Sequence, residues 1–404
     1  MDKNIITSEP ALAPAAVAES GAMEQQDVVP LTPAEPQRIE SWLVTGPGVL
    51  TLGTTELPAT LSGDMVEIAP KYVGSCGSDI DLIKKGGAHS SHKGTVKPII
   101  PGHEPVGIVT RVGEHVSHIK VGDMVAVEPC LPCEHCEECQ DGRYHTCRQT
   151  LYMATPPQDG CFARLIQWPA KWCHKLPAGL DPLLAALSEP LAACLQAITR
   201  RKVGVPSRRG EEWEAIIGAG AMAMGVIALR KAMSSDNKIM VFARSQADLE
   251  FARKIGADLT FQLSCAEDRH TAKKENAAIF AAARDHELVK RRISAAYECT
   301  GQGPVLEAAI HSRLVRGEGT YVGLGCHYEI AFDAAMLRRD EASFMPVRRS
   351  RDKFAVVMRL LEANPDVFRP LIGSIVKFED LPMILERRSG KLTGSGGPKV
   401  VVEF

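Results

Sequence analysis

Four cysteines spaced Cys133-x2-Cys136-x2-Cys139-x7-Cys147, inside CLPCEHCEECQDGRYHTC, constrain the fold of this chain more than any other feature. Three thiolates on one short loop, and a fourth reached after a turn at Asp141-Gly142, can close a tetrahedron around Zn²⁺ with no open position, as structural sites do. Five of the twelve cysteines fall between Cys130 and Cys147 and the rest are scattered. That clustering favours a metal in a reducing compartment over disulfides. Chance clustering of free thiols leaves the spacing unexplained. Cys130 is the odd one, expected as a buried or spare thiol.

A second, dispersed set is Cys76 in VGSCGSD, His103-Glu104 in PGHEPVG and Glu189 in LSEPLAA. Singly, each has a plain structural explanation: a core cysteine, or a carboxylate at a helix start. Together they supply one thiolate, one imidazole and two carboxylates, a set suited to a catalytic Zn²⁺ that keeps a labile position. A third feature, Ile217-Gly218-Ala219-Gly220-Ala221-Met222-Ala223, follows an expected strand and precedes an expected helix. Such a turn lets backbone amides approach a pyrophosphate, although Ala223 replaces the third glycine of the usual pattern.

The chain of 404 residues has room for two or three domains. Residues 1–40, rich in Ala, Pro, Glu and Gln, read as a disordered tail. From residue 41 to about residue 166, short Val/Ile-rich runs punctuated by Gly, Pro and Asp indicate a β-rich domain, with a helix expected from Asp181 to Arg201 leading out of it. After a Gly/Pro/Arg linker, Trp213 to about Gly325 alternate strand and helix in the rhythm of a parallel sheet, with strands at Ala215–Ile217 and Ile239–Ala243, helices at Ala221–Met233 and Gln246–Ile255, and a surface helix within Glu267–Arg292. Residues 340–404 hold an amphipathic stretch, Lys353–Leu361, and a terminal strand. The formal charge of −2 gives no basic surplus for nucleic acid, and no window approaches a membrane span. No basic leader precedes an apolar block at the N-terminus, so a cytoplasmic location is expected.

With these features in this order, residues 41–404 resemble the zinc-containing medium-chain alcohol dehydrogenase superfamily. The resemblance rests on Cys76-Gly77-Ser78-Asp79, Gly102-His103-Glu104, the four-cysteine lobe, Asp159-Gly160-Cys161-Phe162-Ala163, Glu189-Pro190-Leu191, the Gly218 turn and Tyr297-Glu298-Cys299-Thr300-Gly301. Glu189-Pro190-Leu191 looks more like the polyol, threonine and cyclitol-amine dehydrogenase branch than the simple alcohol dehydrogenases. The fold implied is α/β: a GroES-like β-rich catalytic domain from both ends of the chain, 41–200 and 340–404, with a Rossmann domain, 201–339, between them. The resemblance implies a catalytic zinc held by Cys76, His103 and either Glu104 or Glu189, and a second, structural zinc on Cys133, Cys136, Cys139 and Cys147. It implies a small alcohol or ketone substrate and a homodimer or homotetramer.

The implied reaction is hydride transfer between a secondary alcohol and a nicotinamide nucleotide, with zinc favouring the ionised alcohol. Ser78 resembles the family hydroxyl that passes the alcohol proton outward, and Glu104 and Glu189 are the polar partners near the metal. The family often places a His where this chain has Asp81, so the outer proton acceptor is open; His89 and His92 are alternatives. Cys161 replaces a usual Gly and is expected to alter packing only. Gly218, Gly220, Ala221, Met222 and Thr300 are expected to contact the nucleotide. At the end of the second Rossmann strand, Ala243 lacks the anion that would repel a 2′-phosphate and Arg244 offers a charged fork to hold one, so NADP is expected over NAD. Competing readings are an NAD-dependent simple alcohol or aldehyde dehydrogenase, a zinc-ribbon nucleic-acid module, and a zinc-less reductase or binding protein of the same fold. The ribbon leaves the Gly218 turn unexplained, and the zinc-less form would lack Cys76 and His103.

Overall fold

The computed structural model describes residues 35–87, 98–200, 212–290, 292–325, 329–385 and 397–404. The chain divides into Met1–Glu35 and Pro36–Phe404, and the second unit carries the architecture below. His89, His92 and most of the expected tail lie outside the described residues. The tail nevertheless ends earlier than residue 40. β1 (Gln37–Gly46) pairs antiparallel with β2 (Val49–Leu57), and Gln37 to Glu40 find ladder partners in Leu57 to Thr54. Paired backbone groups and the buried Ile39 outweigh the polar side chains there.

The β-rich part continues with β3 (Met65–Ser75), α1 (Gly77–Lys84), β4 (Glu104–Val112), β5 (Met124–Val127) and β6 (Cys130–Leu131). After α2 (Glu137–Gln140) come β7 (Leu151–Tyr152), β8 (Ile166–Pro169) and β9 (Cys173–Lys175). The single helix expected from Asp181 is two: α3 (Pro182–Ala185) and α4 (Ser188–Arg200). Proline inside a continuous helix removes one hydrogen bond and clashes with the carbonyl four residues back. The restart at Ser188 puts Pro190 in a first turn, where its missing N–H costs nothing. It also puts Glu189 at the positive end of a helix.

The parallel layer follows as β10 (Trp213–Ile217), α5 (Ala221–Ala232), β11 (Lys238–Ala243), α6 (Gln246–Ile255) and β12 (Leu259–Gln262). It continues through α7 (Arg269–Arg284), β13 (Ile293–Glu298), α8 (Gly303–His311), β14 (Thr320–Gly323), α9 (Ala334–Asp340) and β15 (Ser343–Pro346). These strands lie in the order β12-β11-β10-β13-β14-β15, all parallel, so the order reverses between β10 and β13. Every residue of β10 is buried, as expected of a strand covered on both faces. The chain then returns through α10 (Phe354–Ala363), α11 (Pro365–Phe368), β16 (Ile372–Lys377) and β17 (Lys399–Glu403) to the first sheet, ordered β16-β17-β3-β4-β5-β9 with β8 beside β3.

One apolar cluster joins the two sheets, containing Val106 and Val401 from the first, Ile216 and Tyr297 from the second, and helix residues Leu191 and Val226 between them. Gly225 allows α4 and α5 to approach: a Cβ there would lie 3.0 Å from Leu191 Cδ2 and 3.1 Å from Cys194 Sγ. Among the described residues no helix is long and apolar enough to cross a membrane.

Candidate active site

Strand register assembles the dispersed set. Gly74 pairs with Glu104 across β3 and β4, which brings Cys76, just past the end of β3, beside His103, just before the start of β4. On the other edge of β3, Ser75 pairs with Val400, so Lys399 arrives at the same point from the far end of the chain. Donor atoms of Cys76, His103 and Glu104 all lie within 4.8 Å of one another. Gly74 is what leaves room for the carboxylate, since a Cβ there would fall 2.0 Å from Glu104 Oε2.

Asp79 organises this group. Its carboxylate accepts from the Cys76 amide at 2.8 Å and the Gly102 amide at 3.1 Å, and meets His103 Nδ1 at 2.9 Å. Nδ1 is thereby committed and the ring is fixed in orientation, as carboxylates fix metal-bound histidines. Burial would lower the His103 pKa, but Asp79 and Cys76 outweigh it and hold the ring well above its ordinary value. For Asp79, burial opposes and His103 prevails, so its carboxyl sits below the usual range. Glu104 is buried and ion-paired with the buried Lys399. Desolvation pushes the Glu104 carboxyl up against the pull of that ammonium. Glu104 Oε1, also buried, has no hydrogen-bond partner among the described residues. The Cys76 sulfur, the His103 imidazole and an unpartnered Glu104 carboxylate oxygen converging within 4.8 Å are a donor set that fits a divalent cation.

Glu189 is not in that group of three. On the first turn of α4, its Oε1 accepts the Tyr152 hydroxyl at 2.9 Å. The Tyr152 ring in turn lies 5.8 Å from the His103 ring between centroids, so Glu189 flanks the cluster by way of Tyr152. Burial, then the Glu189 charge, push the Tyr152 hydroxyl well above its ordinary pKa, so it remains a donor. Ser78 is exposed on the first turn of α1, and Asp81 follows on the same helix. Cys161 is fully buried, and desolvation keeps its thiol protonated.

The four-cysteine lobe closes as its spacing requires. Sγ separations are 4.0 Å for Cys133–Cys139, 3.4 Å for Cys136–Cys139 and 3.8 Å for Cys136–Cys147, and the Cys133 amide donates to Cys147 Sγ. Zn–S bonds of about 2.3 Å give a tetrahedral edge of about 3.8 Å, so the four sulfurs fit zinc. Cys130 stands apart, with its sulfur 3.2 Å from Thr150 Oγ1.

At the reversal point of the parallel sheet, Gly218 takes φ 114°, and a Cβ there would meet Thr300 Cγ2 at 3.2 Å. Gly220 is the N-cap of α5, with Ala221 and Met222 on its first turn. Glu298, buried, accepts from the Thr300 and Gly301 amides and so shapes the facing loop. Ala243 is buried at the end of β11, and Arg244 is exposed immediately after it. Three site residues escaped the sequence reading: Asp79 in its bracing role, Tyr152 and Lys399. Only Asp79 had a local signal, an acid three residues after a helix-starting cysteine.

The model for the alcohol dehydrogenase GroES-like domain matches residues 62–178. D-xylulose reductase A of Aspergillus niger is 31% identical over 326 residues, covering 80% of this chain and 86% of that protein. Sorbitol dehydrogenase of Pongo abelii is 31% identical over 340 residues, covering 84% and 89%. Among solved structures, an Escherichia coli oxidoreductase/dehydrogenase of unknown specificity superposes with a TM-score of 0.77 at 24% identity, covering 91% of this chain and 99% of its own. Relatives of that identity and coverage, joined to a cysteine lobe that fits zinc and a glycine turn at the reversal of a parallel sheet, leave one conclusion: the chain belongs to the zinc-containing medium-chain alcohol dehydrogenase family.

Proposed function

We propose that this protein catalyses reversible oxidation of a secondary hydroxyl on a polyhydroxylated or amino-substituted small molecule, with transfer of the hydride to NADP. The observation that carries the reading is the convergence of Cys76, His103 and Glu104 donors within 4.8 Å. These three would hold the catalytic zinc, and Cys133, Cys136, Cys139 and Cys147 a structural one. When bound, zinc would act as a Lewis acid that eases ionisation of the substrate hydroxyl, and the nicotinamide ring would accept hydride. The chain's own part is to prepare and position. Asp79 holds the His103 ring in place through Nδ1. Lys399 offsets the charge on Glu104, which frees Oε1 to face the metal position. Glu189, fixed by Tyr152, keeps the flank polar and can orient a water or a second substrate hydroxyl. Ser78 Oγ takes the proton outward, and the product side of the balance is a ketone, a reduced nucleotide and one proton.

Gly218, Gly220, Ala221, Met222 and Thr300 would cradle the nucleotide at the sheet reversal, where backbone amides at the start of α5 favour a pyrophosphate. Ala243 and Arg244 support NADP, because a neutral strand end followed by an arginine accommodates a 2′-phosphate. We divide the unit into a catalytic part, 41–200 with the C-terminal return, and a nucleotide-binding part, 201–339. β15 pairs within the nucleotide-binding sheet, so that part reaches Pro346. We place the enzyme in the cytoplasm as a homodimer or homotetramer.

The test is a screen of the zinc-loaded protein against polyols, sugars, cyclitols and amino alcohols, and their ketones, with both nucleotides. Reduction of NADP by a polyol or amino alcohol is expected. Turnover confined to long aliphatic primary alcohols would contradict the substrate class, and full activity in metal-free protein would contradict the mechanism.

A further inference from the structure

Beyond Tyr152 the site turns basic. The Arg349 guanidinium lies over the Tyr152 ring, 4.1 Å from its centroid, on a side chain only partly exposed. Of its five N–H donors one points to Cys130 Sγ, 3.9 Å away. That sulfur offers no countercharge, because burial pushes the Cys130 thiol up and keeps it protonated. Among the described residues neither Arg349 nor its neighbour Arg348 has a carboxylate within 4 Å, whereas Arg230, Arg292 and Arg313 are each paired. Partial desolvation, then repulsion from Arg349, hold the Arg348 guanidinium below its usual pKa, as expected of adjacent cations without a counterion. The Arg349 backbone adopts φ 54°, in the left-handed region that residues with a Cβ avoid. Strained backbone of this kind persists where the surroundings over-determine it, and it clusters at ligand sites.

We propose that the substrate of this enzyme carries an anionic group, a phosphate or a carboxylate, at the end remote from the oxidised hydroxyl, and that Arg349 and Arg348 bind it. The inference rests on the dehydrogenase reading above, which places the reacting hydroxyl at Cys76, His103 and Glu104. Tyr152 links the two ends: its ring centroid is 5.8 Å from that of His103, and the Arg349 guanidinium lies over the same ring at 4.1 Å. By those two distances the His103 ring and the Arg349 guanidinium are no more than about 10 Å apart, a span on the scale of a short polyol chain. Guanidinium donors meet phosphate or carboxylate oxygens in pairs, which makes an arginine here selective and not merely attractive. An ammonium in the same place would face two like charges, so among the substrates considered above the amino-substituted ones are disfavoured.

The experiment is calorimetric binding of sorbitol, sorbitol 6-phosphate and gluconate to zinc-loaded protein already saturated with nucleotide, so that cofactor phosphates occupy their own place first. At least one anion is expected to bind about tenfold or more tighter than sorbitol, with the advantage shrinking as salt rises. In Arg349→Met the preference should collapse, and in Arg349→Lys it should survive in part, since the charge remains and the fork is lost. Which anion wins separates phosphate from carboxylate. Equal binding of all three ligands, or a preference untouched in Arg349→Met, overturns the proposal. Turnover in the same preparation is scored separately: if no ligand reduces the nucleotide, the dehydrogenase reading fails, while the binding ratio still decides the anion site.

Discussion

Lys399 shows what a single residue does at this site. It is buried against Glu104, and each charge is tolerable only because the other is there. Removing one partner of a buried pair costs about 3–5 kcal/mol, since it strands the other charge. Lys399→Met should therefore lower the melting temperature of the metal-free protein and raise the zinc requirement for activity. Lys399→Met with Glu104→Gln should regain stability but not activity, and a double variant no more stable than the single would show that the pair is not the cause. Arg244 makes the corresponding case at the nucleotide. If it holds a 2′-phosphate, Arg244→Ala should lower the ratio of kcat/KM for NADP over NAD by about tenfold, or about 1.4 kcal/mol; an unchanged ratio assigns the preference elsewhere. The contrast between these residues explains what could be read in advance. Cys76, His103 and Arg244 sit in short local patterns. Lys399 reaches the site through the pairing of Ser75 with Val400, a register that no local pattern carries.

At the scale of elements, the four-cysteine lobe contains little regular structure: α2 is one turn, and β6 pairs only with β7. A metal bound there would then supply folding energy to the lobe. Cys136→Ser should lower zinc content by one per chain and reduce the melting temperature by roughly 5 °C or more, with residual activity in proportion to the folded fraction. Full zinc content in that variant contradicts the assignment. The first elements of the parallel layer, β10 to α6, were legible because the period changes between strand and helix, with glycine turns at Gly218 and Gly256. The split between α3 and α4 was not, because apolar spacing runs unbroken across Ala186-Leu187 and only Pro190 marks the restart. The early start of β1 was hidden for a related reason: the polar Gln37, Arg38 and Glu40 resemble the tail before them until β2 supplies their partners.

Across the whole molecule, the chain begins and ends in the same sheet, and the parallel layer is packed onto it through α4 and α5. That closure brings residues separated by more than three hundred positions, Cys76 and Lys399, into one cluster, while the four lobe cysteines form a separate group of candidate ligands. The protein should therefore carry two metals with different duties, and zinc content per chain tests this most directly. Elemental analysis of purified protein should find two zinc ions per chain in the wild type and one in Cys76→Ser, the variant remaining folded and still binding nucleotide. One zinc in the wild type, or two in Cys76→Ser, would contradict it.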